Sequence, residues 1–260
     1  MRGKPRNGAD CSDALAGFLG RAELLMVGRQ LQEKGIMSDL SIIIGNKNYS
    51  SWSMRPWLAL KKTGQPFREE PIALRLADTK QHILAHSAAG KVPILKHGAI
   101  LVWESLAICE YLAETFPAAQ LWPADKAARA HARAVSSEMH AGFAGLRKNL
   151  PMDICHDRRP ESRAHLVQDE IARIRQIWTE ARSRFGDRAG DFLYGDFTVA
   201  DAMFAPVVTR FRTYGVALDA ICTRYMQAVL NWPGFKEWEA AARAETQVIE
   251  FDIFRQPAAQ

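Results

Sequence analysis

Cysteine is scarce in this chain and follows no pattern. Cys11, Cys109, Cys155 and Cys222 stand far apart, make no CxxC pair and have no histidine at zinc-type spacing. That excludes a disulfide framework and a zinc site, and it points to a reducing compartment, the cytoplasm. The seven histidines hold no HExxH or related grouping, so no metal is expected. Long apolar runs are missing too. Nothing approaches the roughly 20 residues that span a bilayer, so no membrane partner is expected. No block of five like charges occurs, and 34 basic against 29 acidic residues leave a net charge of +5. This balance reads as a solvated mixed-charge surface with no nucleic-acid-binding stripe. What is present is the composition of a folded protein, 48% hydrophobic and 24% charged over 260 residues, enough chain for two domains with a substantial core.

The first 36 residues differ from the rest. Arg2, Lys4 and Arg6 followed by apolar Ala14 to Leu19 imitate a secretory signal, but Asp10, Asp13, Arg21 and Glu23 interrupt it. Residues 1–36 are therefore expected to be an upstream extension, disordered or the product of a start assigned too early, with no catalytic role. Met37 then precedes a strand-like run, as at the beginning of a domain.

Leu40 to Ile44 is a β-branched run closed by Gly45 and Asn46, the pattern of a short strand buried on both faces. After a polar turn from Asn46 to Ser50, Ser53 to Lys62 reads as a helix. Trp57, Leu58 and Leu60 give it an apolar side, Pro56 is admissible in a first turn, and Lys61 and Lys62 precede Gly64 at its end. Phe67 to Ile72 alternates as a second strand, and Leu76 to Ala85 fits a short helix. Val92 to Leu95 and Ala99 to Trp103 flank a turn at Lys96-His97-Gly98 and read as a hairpin. Glu104-Ser105 opens a helix with Leu106, Ile108, Cys109, Leu112 and Phe116 at helical spacing, and Pro117 stops it.

Beyond Pro117 and Pro123 alanine-rich helical patterns take over, at Lys126 to Leu150, Glu161 to Phe185, Thr198 to Tyr214, Leu218 to Leu230 and Pro233 to Ala244. The expected organisation is an α/β domain over residues 37–118, in the order β-α-β-α-β-β-α, followed by an all-helical domain over 119–260. Thr198 and Asp201 have capping-box spacing, so Asp201 is expected to cap a helix.

Four motifs in this order resemble the cytosolic glutathione S-transferase family, over everything after residue 36. They are Ser50-Ser51-Trp52-Ser53 at the first helix, Lys91-Val92-Pro93 before the third strand, Glu104-Ser105 twelve residues after Val92, and Phe197-Thr198-Val199-Ala200-Asp201 in the helical part. The resemblance is to a serine-type bacterial member with a zeta- or tau-like turn. It implies a thioredoxin-like N-terminal domain, glutathione as co-substrate, an electrophilic small molecule as second substrate, and a homodimer in which the N-terminal domain of one subunit meets the helical domain of the other.

The chemistry such an enzyme requires is the stabilisation of a thiolate. A free cysteine thiol has a pKa of about 8.5, so only a few per cent is anionic at neutral pH. A helix N-terminus contributes roughly 0.3–1 kcal/mol, less than the ~1.4 kcal/mol of a single pKa unit, so a hydroxyl donor is needed as well. By resemblance that donor is Ser50, with Ser51 as the alternative, while Ser53 has a structural role open to it as a helix cap. Lys91 is expected at the glycyl carboxylate, and Val92 with Pro93, joined by a cis bond, at the peptide backbone of glutathione. Glu104 is expected at the γ-glutamyl ammonium and Ser105 at its carboxylate, although a Glu-Ser pair alone also makes a cap. Trp52, Met139, His140, Phe143 and Arg147 are candidates for the second substrate, with core packing as their other reading.

The turn departs from the zeta pattern. Trp52 stands where that class has cysteine, Pro56-Trp57 where it has Val-Arg, and His86-Ser87 replaces the usual Asn-Pro before the Val-Pro loop. These departures weaken a maleylacetoacetate-type isomerase reading, which stays as an alternative, as does a non-catalytic transferase-like binding or regulatory protein.

Overall fold

The first strand, β1 (Leu40–Gly45), is buried at all six positions, and its alternation divides them between two layers. Leu40, Ile42 and Ile44 belong to the main apolar cluster, whereas Ile43 joins Ile72, Ile83 and Ile94 in a second cluster on the other side of the sheet. Around it lie α1 (Ser51–Thr63), β2 (Arg68–Ile72), α2 (Thr79–Leu84), β3 (Ile94–His97), β4 (Ile100–Trp103) and α3 (Ser105–Thr115). The strand order is β2-β1-β3-β4. β1 runs parallel to β2 and antiparallel to β3, which is antiparallel to β4. This is the expected β-α-β-α-β-β-α order, with α1 packed on α3 and Ile83 of α2 beneath the sheet. The computed structural model describes residues 39–186 and 190–254; the 1–36 segment and what was expected of it lie outside the described residues.

Local details correct the sequence reading in three places. Helix α1 starts at Ser51, two residues before the expected position, so Pro56 lies inside the helix, past its first turn, and has no N–H for the carbonyl of Trp52. The β3–β4 turn sits at Gly98-Ala99, with Gly98 at φ 57°, because Lys96 and His97 pair with Leu101 and Ile100 and extend the strand.

The third correction concerns the long pattern Lys126 to Leu150. It is two helices, α4 (Lys126–Ala141) and α5 (Ala144–Asn149), with Phe143 between them in a left-handed conformation at φ 57°. The amides at the start of α5 are satisfied from outside, since the Glu170 carboxylate accepts from Gly145 at 3.1 Å and Leu146 at 2.5 Å. Glu170 lies in α6 (Gln168–Phe185), followed by α7 (Val199–Thr213), α8 (Ala220–Asn231) and α9 (Pro233–Ala244).

Helix α7 is buried along nearly its whole length, which marks it as the axis of the helical part, and it packs on both α1 and α4. Its N-terminus forms the expected capping box. The Asp201 carboxylate accepts from the Thr198 amide at 2.7 Å, the Thr198 hydroxyl at 2.9 Å and the Leu193 amide at 3.0 Å. The main apolar cluster runs without a break from β1 through α1 into α7 and α9, so the face of α1 opposite the sheet is fixed by the helices. Among the described residues no helix is long and apolar enough to cross a membrane.

Candidate functional site

Chain reversal after Gly45 brings the serine run to the N-terminus of α1. The Ser50 amide donates to the Asn46 carbonyl at 2.8 Å, and Ser50 is the N-cap, its side-chain oxygen receiving the Ser53 amide at 3.4 Å. The capping role open to Ser53 is thus filled by Ser50. Ser53 is fully buried; its hydroxyl oxygen lies 2.8 Å from that of Ser50 and accepts the Gly45 amide at 3.0 Å. Ser51 makes no side-chain hydrogen bond among the described residues, and Ser50 and Ser51 both line a cavity of about 640 Å³.

Two hollows share one wall. The larger adjoins Ser50, Ser51, Trp52, Lys91, Val92 and Arg147; a second, of about 320 Å³, is bounded by Trp52, Lys91, Val92, Pro93, Glu104 and Ser105. Trp52, Lys91 and Val92 border both, so the N-termini of α1 and α3 open on two adjoining hollows. The Val92–Pro93 peptide is cis, as expected. Glu104 holds φ 71°, a conformation that costs a non-glycine residue roughly 1–3 kcal/mol and tends to be kept where function needs it. The Ser105 hydroxyl is buried without a hydrogen-bond partner, an arrangement that normally costs about 1–3 kcal/mol.

The candidates for a second substrate divide. Trp52 and Arg147 line the larger hollow. His140 lies beside them, its ring 5.3 Å from Trp52 and its Nε2 3.9 Å from the Glu104 carboxylate; burial, ahead of the charge of Arg55, pushes its pKa below the usual histidine value. Met139 and Phe143 are buried in the apolar core and line neither hollow. Their expected helical stripe is interrupted by the break at Phe143.

Of the charge at this wall, Arg147 was named from the sequence but Arg55 and Arg210 were missed. Arg147 and Arg210 both border the larger hollow, and the guanidinium groups of Arg55 and Arg147 lie 4.3 and 5.4 Å from the Trp52 ring. No carboxylate of the described residues pairs with Arg55, Arg147 or Arg210. Arg55 is fully buried with two unpartnered nitrogens. Burial, followed by repulsion from Arg210 and Arg147, pulls its pKa down to about 9, and burial brings Arg210 to about 10. The signal available in the sequence was position: each of these two arginines sits among apolar residues in a helical pattern, where a solvated charge is not expected. Also unread was the C-terminal segment, whose Phe251, Asp252 and Ile253 line the same hollow. Among the described residues, no group of three or more His, Cys, Asp or Glu side chains could hold a metal ion.

Comparison with known proteins agrees with this geometry. Residues 49–115 match the family described as glutathione S-transferase, N-terminal domain, and residues 164–241 its C-terminal domain. The chain is similar to a maleylacetoacetate isomerase of Pseudomonas aeruginosa, 29% identical over 214 residues that cover 77% of this chain and 95% of the relative. It is also similar to the maleylacetoacetate isomerase of Rattus norvegicus, 30% identical over 174 residues, covering 65% and 76%. In fold it resembles a glutathione transferase homolog from Burkholderia gl BGR1 solved with bound glutathione, with a TM-score of 0.59 and 24% identity over 80% of this chain and 100% of that one.

Proposed function

Since this chain belongs to the glutathione S-transferase family, we propose that it is a glutathione transferase in which Ser50 keeps the sulfur of glutathione in its thiolate form. The sulfur attacks an electrophilic carbon; an S–C bond forms and the leaving group departs with its electron pair, or an activated double bond is saturated by addition. The observation that carries this reading is the pair of adjoining hollows at two helix N-termini, one lined by Ser50 and Ser51 and the other by Ser105, whose hydroxyl has no partner among the described residues.

Anions are favoured at both N-termini. At α1 the thiolate sulfur accepts a hydrogen bond from the Ser50 hydroxyl. In the structure that hydroxyl donates to Ser53, which also accepts from the Gly45 amide; when Ser50 turns to sulfur, the Ser53 proton can turn to Ser50 in its place. Ser51 is the neighbouring donor. At α3, Ser105 takes the γ-glutamyl carboxylate and Glu104 the ammonium; Lys91 takes the glycyl carboxylate, and Val92 with Pro93 pairs the peptide backbone. On this reading residues 37–118 hold glutathione and residues 119–260 form the electrophile side, with Trp52, Arg147 and the neighbouring His140 nearest to the second substrate.

The protein is proposed to act in the cytoplasm as a homodimer. The edge strand β4 exposes Ile100 and Trp103 at 50% and 49%, apolar surface of the kind that another subunit covers.

A specific observation favours a second reading, glutathione-dependent isomerisation of an acidic substrate. Arg147 and Arg210 at the cavity wall donate to backbone carbonyls but pair with no carboxylate among the described residues, and such cations suit an acidic substrate; two relatives carry maleylacetoacetate isomerase as their name. Retention on immobilised glutathione with consumption of glutathione by a generic aryl halide supports the transferase. Product formation from an unsaturated acid without net loss of glutathione supports the isomerase. Retention with no turnover of either supports a binding module, and failure to bind glutathione overturns all three.

A further inference from the structure

The turn that carries the serines is held from a distance. Its two successive amides, Lys47 and Asn48, both donate to one carboxylate, that of Glu245, at 2.5 and 3.1 Å. Glu245 directly follows α9, 198 positions along the chain from Lys47. Two residues on, the Gln247 side chain bridges the same turn to the loop after β2, accepting from Asn46 Nδ2 at 3.0 Å and donating to the Leu74 carbonyl at 2.7 Å. Asn46 closes that ring by accepting the Leu74 amide at 2.8 Å. The Trp238 indole of α9 donates to the Lys47 carbonyl at 2.9 Å.

We propose that Glu245 is a positioning residue for thiolate formation: its carboxylate clamps the Lys47 and Asn48 amides and so fixes the turn that aims Ser50. This rests on the reading of Ser50 given above. The physical reason is that a five-residue polar turn between a strand and a helix has no ladder of its own. Its amides must be satisfied by something, and bonds to a charged acceptor are the stronger kind. A thiolate donor displaced by a fraction of an ångström loses much of its effect, so fixing the turn fixes the chemistry. The clamp does not act by charge, because an anion close to the turn opposes a second anion at sulfur; the contribution is geometric. The segment after it walls the cavity with Phe251, Asp252 and Ile253, and Tyr49, next to Ser50, meets Phe251 ring to ring at 5.7 Å. One short stretch therefore both holds the serine turn and borders the space beside it.

The test is the ultraviolet titration of glutathione bound to the full-length protein, in the wild type and in Glu245→Ala, Glu245→Gln, Gln247→Ala and Lys61→Ala, each checked for folding by thermal unfolding. Lys61 pairs with Glu237 of α9 at 2.7 Å and ties the same two parts together without touching the turn. The expected result is a thiol pKa raised by about half a unit or more in Glu245→Ala and Gln247→Ala, a smaller rise in Glu245→Gln, which keeps one acceptor, and no change in Lys61→Ala. A fall of kcat by roughly tenfold in Glu245→Ala accompanies the rise. If the wild type lowers the thiol pKa and both alanine variants at the clamp lower it equally, the inference is overturned while the transferase reading stands. An equal rise in Lys61→Ala also overturns it, because loose docking would then account for the effect. A wild type that leaves the thiol titrating as free glutathione overturns the transferase reading, and this inference with it.

Discussion

The hydroxyl oxygens of Ser50 and Ser53 lie 2.8 Å apart at the first turn of α1, and the Gly45 amide donates to Ser53 from behind. Both serines are buried, and of the two only Ser50 lines the larger cavity; with Ser50 as the proposed thiolate donor, Ser53 is its support.

That arrangement orders three variants. Ser50→Ala removes the donor and should lower kcat by roughly 100-fold, the scale for loss of one oriented donor to a developing anion. Ser53→Ala leaves the donor but removes its support, and an intermediate loss is expected. Ser51→Ala should cost less than Ser50→Ala. Steady-state kinetics with an aryl halide, on variants with unchanged thermal unfolding, checks the order; equal activity in Ser50→Ala and wild type discards the assignment.

Ser105→Ala should act on binding. Its buried hydroxyl has no partner among the described residues, and a hydrogen bond to a carboxylate is worth about 1.5–3 kcal/mol, so KM for glutathione should rise about tenfold or more. kcat at saturating glutathione should change little. A loss confined to kcat would place Ser105 elsewhere in the mechanism.

Local motifs made much of this legible in the sequence. The strand and helix order and the Thr198–Asp201 box are each written within a few neighbouring residues, where backbone geometry dictates residue type, whereas the cis Val92–Pro93 bond and the role expected of Glu104-Ser105 were legible only through the family resemblance. The break at Phe143 was not legible. A phenylalanine at φ 57° has no signature, because its left-handed backbone goes with the anchoring of α5 by Glu170 of α6 and not with its own preference. Nor could spacing disclose Glu245, whose meaning depends on amides 197 and 198 residues away, or Arg210, which lines the cavity from the buried helix α7.

Arg147 provides a test of the cavity's charge. Given two aryl halides of similar size, one bearing a carboxylate and the other its methyl ester, the wild type should favour the acid. Arg147→Gln should reduce that preference by about tenfold through KM for the acid, the equivalent of ~1.4 kcal/mol, and Arg147→Lys should restore part of it. A ratio unaffected by Arg147→Gln counts against an acidic substrate.

Asp201 sets a pH dependence of stability. Burial outweighs its three hydrogen bonds and lifts its pKa from 3.8 to about 6. Between those values the folded state holds a proton that the unfolded chain has released, so this contribution is complete below pH 3.8 and lost as pH rises through about 6. Asp201→Asn cannot accept at both oxygens and should cost about 1–3 kcal/mol at neutral pH. It also abolishes the titration, so its deficit against the wild type should widen as pH is lowered from 7 to 4, measured by urea unfolding at each pH. A deficit that narrows would mean that the carboxylate is held ionised.

The most direct test of the whole account is the pKa of the glutathione sulfur when bound. In the wild-type protein it should fall clearly below the free value of about 8.5, and in Ser50→Ala it should return most of the way. A bound thiol that titrates as it does in water, or one equally acidic when both Ser50 and Ser51 are replaced by alanine, contradicts the account.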